Sequence, residues 1–101
     1  MYNTKAQLIS RRRVYITDTL LVSISVWRVP QPVRGSAHAF KYSLAYVVDG
    51  ACVLRYDNEA GKGDHRHYGG TEEPYAFTTL EALFADFQTD ITRWNHENHH
   101  L

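Results

Sequence analysis

Residues 39–56 read Ala39-Phe40-Lys41-Tyr42-Ser43-Leu44-Ala45-Tyr46-Val47-Val48-Asp49-Gly50-Ala51-Cys52-Val53-Leu54-Arg55-Tyr56. β-Branched and aromatic residues fill both halves, with Asp49-Gly50 between them. An Asp-Gly pair tolerates the positive φ angles that a two-residue hairpin turn requires. The stretch predicts two antiparallel strands, Ala39–Val48 and Ala51–Tyr56. Uninterrupted pairing from that turn sets Val48 against Ala51, Tyr46 against Val53, Leu44 against Arg55 and Tyr42 against Asp57. On this register Arg55 and Asp57 share a face with Tyr42, Leu44 and Tyr46. The other face carries Ser43, Ala45, Val47, Cys52, Leu54 and Tyr56, mostly small side chains over which a helix can lie.

Upstream, Gln7 to Ile16 has strand composition, although Arg11, Arg12 and Arg13 interrupt its alternation. Thr17-Asp18-Thr19 reads as a turn. Leu20 to Val29 alternates, with Val22, Ile24 and Val26 on one side and Ser23 and Ser25 on the other. Pro30 and Pro32 end it, because proline cannot donate to a ladder. Downstream, residues 57–76 show no regular period and are rich in glycine and charge, which predicts a long loop. Thr78-Thr79-Leu80-Glu81 then forms a capping box in which Thr78 accepts from the Glu81 amide. The helix it opens runs to about Asn95, with Leu80, Leu83, Phe84, Phe87, Ile91 and Trp94 on one apolar stripe. Glu81, Asp86 and Asp90 lie off that stripe and are expected in solvent.

The expected fold class is therefore α+β: a four-stranded, mainly antiparallel sheet, a long glycine-rich loop, and one C-terminal amphipathic helix packed on the sheet. A chain of 101 residues makes one domain over residues 1–101, with residues 96–101 expected as a flexible tail. Three histidines there, His96, His99 and His100, can in principle hold a metal, but a solvated terminus is the simpler reading.

Net charge is zero, yet residues 1–56 carry eight cations against two carboxylates, and residues 57–101 carry three against nine. Such an asymmetry can steer an anionic polymer to one side of the molecule. No apolar run reaches bilayer length, and no secretory signal is evident, so no membrane role is expected. The single cysteine, Cys52, excludes an internal disulfide framework, fits a reducing cytoplasm, and reads as a small buried hydrophobe.

The chemistry concentrates in Arg55-Tyr56-Asp57-Asn58-Glu59-Ala60-Gly61-Lys62-Gly63-Asp64-His65-Arg66-His67-Tyr68-Gly69. RNA cleavage requires a base, an acid, and cations on the phosphoryl oxygens. His65 and His67 have the intrinsic range for acid and base. If the backbone is extended they share a face, and Arg66 takes the other. Lys62 binds phosphate as a point charge, and Arg55 adds a planar fork. Asp64 completes the catalytic candidates, and Arg66 and Tyr68 are further contacts for phosphate or RNA. Arg11 and Arg13, on one side of a strand, suit a phosphate backbone. No cofactor is needed for this chemistry. The alternative is a Mg²⁺ or Mn²⁺ site on Asp57, Glu59 and Asp64 with a histidine, since these ions favour oxygen ligands. A third reading is a non-catalytic module that binds RNA or protein. His38 precedes the third strand and has no evident role.

The order Trp27-Arg28-Val29-Pro30, Lys41-Tyr42-Ser43-Leu44, the Arg55–Gly69 stretch, and Glu73-Pro74-Tyr75-Ala76-Phe77 before an amphipathic helix resembles the TumE-like toxins of prokaryotic toxin–antitoxin systems. The resemblance covers roughly residues 20–95 of this chain. It implies a cytoplasmic toxin that arrests growth by cutting RNA. It also implies neutralisation by a cognate antitoxin, with a helix-turn-helix DNA-binding domain. Sheet edges and tyrosines would permit a homodimer.

Overall fold

The structure, a computed structural model, describes residues 5–99. Strands β1 (Gln7–Thr17), β2 (Leu20–Arg28), β3 (Phe40–Val48), β4 (Ala51–Glu59), β5 (Gly63–Tyr68) and β6 (Thr71–Pro74) precede helix α1 (Leu80–Glu97). The strands form one antiparallel meander in the order β1-β2-β3-β4-β5-β6. The α+β class and the C-terminal helix on an antiparallel sheet agree with the expectation, but the sheet has six strands, not four. The two additional strands lie where a loop was expected. Their side chains are charged or titratable on both faces, so no apolar alternation marks them. Gly69-Gly70 makes the tight turn between them, a dipeptide that itself signals a hairpin.

The Asp49-Gly50 turn forms as the composition requires, with φ of 51° and 80°. The register beyond it differs from the simple count. Val47 pairs with Cys52 but Tyr46 pairs with Leu54, so Val53 is an unpaired bulge residue. Leu44 then faces Tyr56, Ala45 faces Arg55 and Ser43 faces Asp57. The bulge gathers Tyr42, Leu44, Tyr46, Leu54 and Tyr56 on one face, where Leu83, Phe87 and Ile91 of α1 cover them. Arg55 and Asp57 are turned to the opposite face, contrary to the unbulged register. Cys52 precedes the bulge and keeps its place opposite Val47; the helix lies on the tyrosine face and not, as expected, over Ser43, Ala45, Val47 and Cys52, so Cys52 is exposed rather than buried.

Helix α1 starts one residue later than the capping box suggested. Thr79, not Thr78, is the N-cap, and its hydroxyl accepts from Ala82 N at 3.0 Å. The helix also runs past Asn95 to Glu97, so His96 and Glu97 are helical rather than part of a tail. His100 and Leu101 lie outside the described residues. Asn95 is buried, and its Oδ1 accepts from the Tyr46 hydroxyl at 2.7 Å.

Asp90, expected in solvent, is 6% exposed. It accepts from the Tyr56 hydroxyl at 2.6 Å, and from Arg66 Nε at 2.6 Å and Nη2 at 3.0 Å. The two-pronged guanidinium contact satisfies a carboxylate that burial alone would penalise by several kcal/mol. The Asp90 hydrogen bond raises the Arg66 guanidinium further above its ordinary value. Burial, followed by the bond to Asp90, raises the Tyr56 phenol. Arg66 also meets Glu73 of β6, so one side chain ties the sheet edge to the helix.

A second polar cluster fixes the β2–β3 connection. Asp64 accepts from Ser36 Oγ, Tyr42 Oη and His38 Nε2, each at 2.7 Å. His38 Nδ1 accepts from the Phe40 amide at 3.2 Å, so its proton sits on Nε2. The ring stacks on Phe77 with centroids 3.7 Å apart. Burial alone would raise the Asp64 carboxyl, but the bonds from Ser36, Tyr42 and His38 outweigh it and hold it below the ordinary carboxylate range. Nearby, Gly63 (φ 76°) and Gly35 (φ 98°) approach so closely that a Cβ on Gly63 would lie 2.6 Å from Gly35 O. Only glycine fits there.

Two outcomes follow. Asp90→Asn removes the buried carboxylate from Arg66, leaving it only the more exposed Glu73, and should lower the unfolding free energy by about 3 kcal/mol, read from urea denaturation. A loss under about 1 kcal/mol would mean the ion pair is not what holds α1 down. Asp64, with its depressed carboxyl, stabilises the fold above the unfolded value of about 3.9. That contribution is lost as pH falls through the folded value. Wild-type stability should therefore drop on acidification below about pH 4 more steeply than that of Asp64→Asn. Parallel pH profiles for the two proteins would remove Asp64 as the cause.

Candidate functional site on the open sheet face

Helix α1 covers one face of the sheet and leaves the other open. Strand pairing sorts the side chains between them. Two rows cross the open face from edge to edge. One is Arg13, Ser23, Ala45, Arg55, His67 and Glu72; the other is Arg11, Ser25, Ser43, Asp57, His65 and Pro74. Small residues floor the middle of both rows. Arginines stand at one end, and titratable groups at the other. The face is thus a shallow trough, with its cations and imidazoles on the rims.

His65 and His67 sit two residues apart on β5, an extended strand, and so project to the same side. Glu72 lies between them on β6. Its Oε1 is 3.9 Å from His65 Nε2, 3.9 Å from His67 Nε2 and 3.9 Å from Lys62 Nζ. These separations are longer than hydrogen bonds and leave the groups open to solvent, unlike a closed structural network. Arg55 is directly across the ladder from His67, and Asp57 across from His65. Such pairs bring Cβ atoms to about 5 Å. Lys62 reaches the group from the turn between β4 and β5.

The imidazoles differ in what they present. His65 Nδ1 is 3.1 Å from Gly63 O. A carbonyl only accepts, so Nδ1 carries the proton of the neutral ring and Nε2 keeps its lone pair towards Glu72. That is the tautomer of a base. Burial raises the Asp57 carboxyl above its ordinary range, with Arg55 and His67 opposing the shift. His67, Arg55, Cys52, Leu54 and Gly69 line a small concavity of about 200 Å³ beside the pair.

The remaining sequence candidates divide by strand parity. Arg11 and Arg13 do lie on the open face, at its β1 edge. Asp64, Arg66 and Tyr68 lie on the helix side. Asp64 belongs to the Ser36–His38–Tyr42 cluster, and Arg66 to the pair with Asp90. Tyr68 donates to Glu97 and packs under the guanidiniums of Arg66 and Arg93, with its phenol pushed up to about 12 by burial and the Glu97 bond. None of the three is placed beside His65 and His67. Asp57 and Asp64 face opposite sides of the sheet, so Asp57, Glu59 and Asp64 do not converge on one point. Among the described residues, no group of three potential metal ligands is present. His38, by contrast, has both ring nitrogens engaged in the structural cluster.

Glu72 is the member that the sequence reading missed. The signal was available in Gly69-Gly70: a two-residue hairpin there sets Glu72 against His67.

No helix among the described residues is long and apolar enough to cross a membrane. A family model described as "Toxin TumE" matches residues 2–95. That span includes β1 as well as the stretch from β2 to α1. No curated protein matches the chain, and no solved structure does.

Proposed function

The chain belongs to the TumE toxin family, and on that premise we propose that this toxin of a toxin–antitoxin system is an endoribonuclease acting through His65 and His67 on the open sheet face. The observation that carries the reading is the cluster of His65, His67, Lys62 and Glu72, with Arg55 across the ladder, on the sheet face opposite α1, which no helix or strand among the described residues covers.

The chemistry needs no group from outside the chain. Neutral His65 takes the proton of a ribose 2′-hydroxyl on Nε2. The 2′-oxygen attacks the adjacent phosphorus, and the bond from phosphorus to the 5′-oxygen breaks. His67, as the imidazolium, gives its proton to that leaving oxygen. The products are a 2′,3′-cyclic phosphate and a free 5′-hydroxyl. Arg55 and Lys62 stabilise the charge that grows on the non-bridging oxygens. Glu72 holds the imidazoles and the ammonium towards one another, and stabilises whichever ring is charged. Asp64 and Arg66 take structural roles in this scheme, as the bonds they make require.

The family places an antitoxin opposite this toxin. We assign that partner a helix-turn-helix DNA-binding domain, and growth arrest to RNA loss in its absence.

The side chains of His65 and His67 stand on the open sheet face, outside the core beneath α1. His65→Ala/His67→Ala should therefore melt at nearly the wild-type temperature. Its RNA-cleavage rate should fall by at least about 10³-fold, since each proton-transfer group contributes about 10²–10⁴. Growth arrest on expression should disappear with it. Cleavage by the purified wild type should persist in excess chelator. A double variant that still cuts, or activity that chelation abolishes, would refute histidine acid–base catalysis.

A further inference from the structure

Trp27 lies on the open face, one step along β2 from Ser25, and the core residues Val22, Ile24 and Val26 occupy the other face of that strand. It therefore does not pack in the core under α1. The ring is nevertheless set in a concavity of about 420 Å³ whose lining includes Ser25, Val29, Lys41 and Ser43. Lys41 is its direct partner across the β2–β3 ladder. The Arg11 guanidinium lies over the face of the indole, 5.4 Å from its centroid. A large planar aromatic, half-buried on an uncovered sheet, is thus flanked by two cations and floored by hydroxyls.

We propose that this concavity is a nucleotide-binding subsite in which a single-stranded RNA base stacks on Trp27 while Lys41 and Arg11 hold its phosphates. Three features select that ligand. The indole offers a flat π surface that any base can use, taken over from the Arg11 guanidinium as that side chain turns to the phosphate. The two cations would be wasted on an apolar ligand or a neutral sugar. A bare anion would not need the indole. A base paired in a duplex has its faces already stacked, so the ligand is single-stranded.

The inference rests on the nuclease reading above and extends it. Trp27 on β2 is three strand spacings from His65 on β5, and about one residue pair offset along the sheet. With spacings of ~4.8 Å and a rise of ~3.4 Å per residue, the two are ~16 Å apart. At ~3.4 Å or more per nucleotide, that separation corresponds to on the order of three to five nucleotides along the trough of Ser23, Ser25, Ser43 and Ala45. The subsite thus grips the strand at a distance from the bond that is cut, and contributes affinity rather than proton transfer.

The test uses the full chain in a Trp94→Phe background, where Trp27 is the sole tryptophan. The probe is a single-stranded 2′-O-methyl octanucleotide, which cannot supply the attacking hydroxyl. Binding should quench Trp27 fluorescence, and the same sequence annealed into a duplex should not. In the chain with both tryptophans, Trp27→Ala should weaken binding by about 10-fold, whereas Trp27→Phe should retain most of it. Absent quenching, or equal affinity for Trp27→Ala, would overturn the subsite even if cleavage proceeds. Quenching only on addition of the antitoxin would also overturn it, and make the face a protein interface. If wild type binds and quenches but never cuts substrate RNA, the subsite stands and the nuclease reading falls.

Discussion

Val53 has no partner across the β3–β4 ladder, and everything after it in β4 is turned by one step. That step puts Leu54 and Tyr56 beneath α1, and Arg55 and Asp57 on the open face. The alternative, unbulged register would bury a guanidinium and a carboxylate under the helix and expose two large apolar side chains. Exposing Leu54 and Tyr56 alone forfeits about 1.5–3 kcal/mol each, and the buried charges would cost more. The bulge is thus the arrangement in which the apolar set stays whole. Because His67 pairs with Arg55 and His65 with Asp57 across the β4–β5 ladder, the same step carries both histidines to the open face.

Three tyrosines belong to the layer beneath α1. Tyr42, Tyr46 and Tyr56 are each nearly inaccessible, and each ends on a side-chain oxygen: Asp64, Asn95 and Asp90. Their rings supply apolar area, while their hydroxyls donate to the oxygens of Asp64, Asn95 and Asp90. Among the described residues, no buried side-chain nitrogen or oxygen lacks a hydrogen-bond partner. This wiring determines which charged residues remain for chemistry. Asp64, Arg66 and Asp90 are committed to holding the loop, the sheet edge and the helix together. The groups on the open face make longer, solvent-accessible contacts.

Much of this was legible from local pattern. The Asp49-Gly50 turn, the alternation in β2, the apolar stripe of α1 and the shared face of His65 and His67 all follow from periods and turn chemistry. Where local pattern misled, a specific competitor won. The capping box moved by one residue because Thr79 was as able a cap as Thr78. Asp90 looked solvent-facing by helical position, but Arg66 reaches in from β5, far along the sequence. Strands β5 and β6 carry no apolar alternation, so only their glycine turns marked them. Consistency of the apolar face would have exposed the bulge: Leu54 and Tyr56 belong with Tyr46, and simple counting separates them.

The sequence by itself determined the α+β class, the hairpin at residues 49–50, the amphipathic helix, and the segment in which titratable side chains gather. Those are properties of neighbouring residues, set by φ preferences and by periods of 2 and 3.6. Tertiary structure alone decided which charges became scaffold and which stayed available. That division depends on strand register across the whole sheet and on one helix choosing a face. No window of adjacent residues holds that information, since a single inserted residue exchanges the two sides.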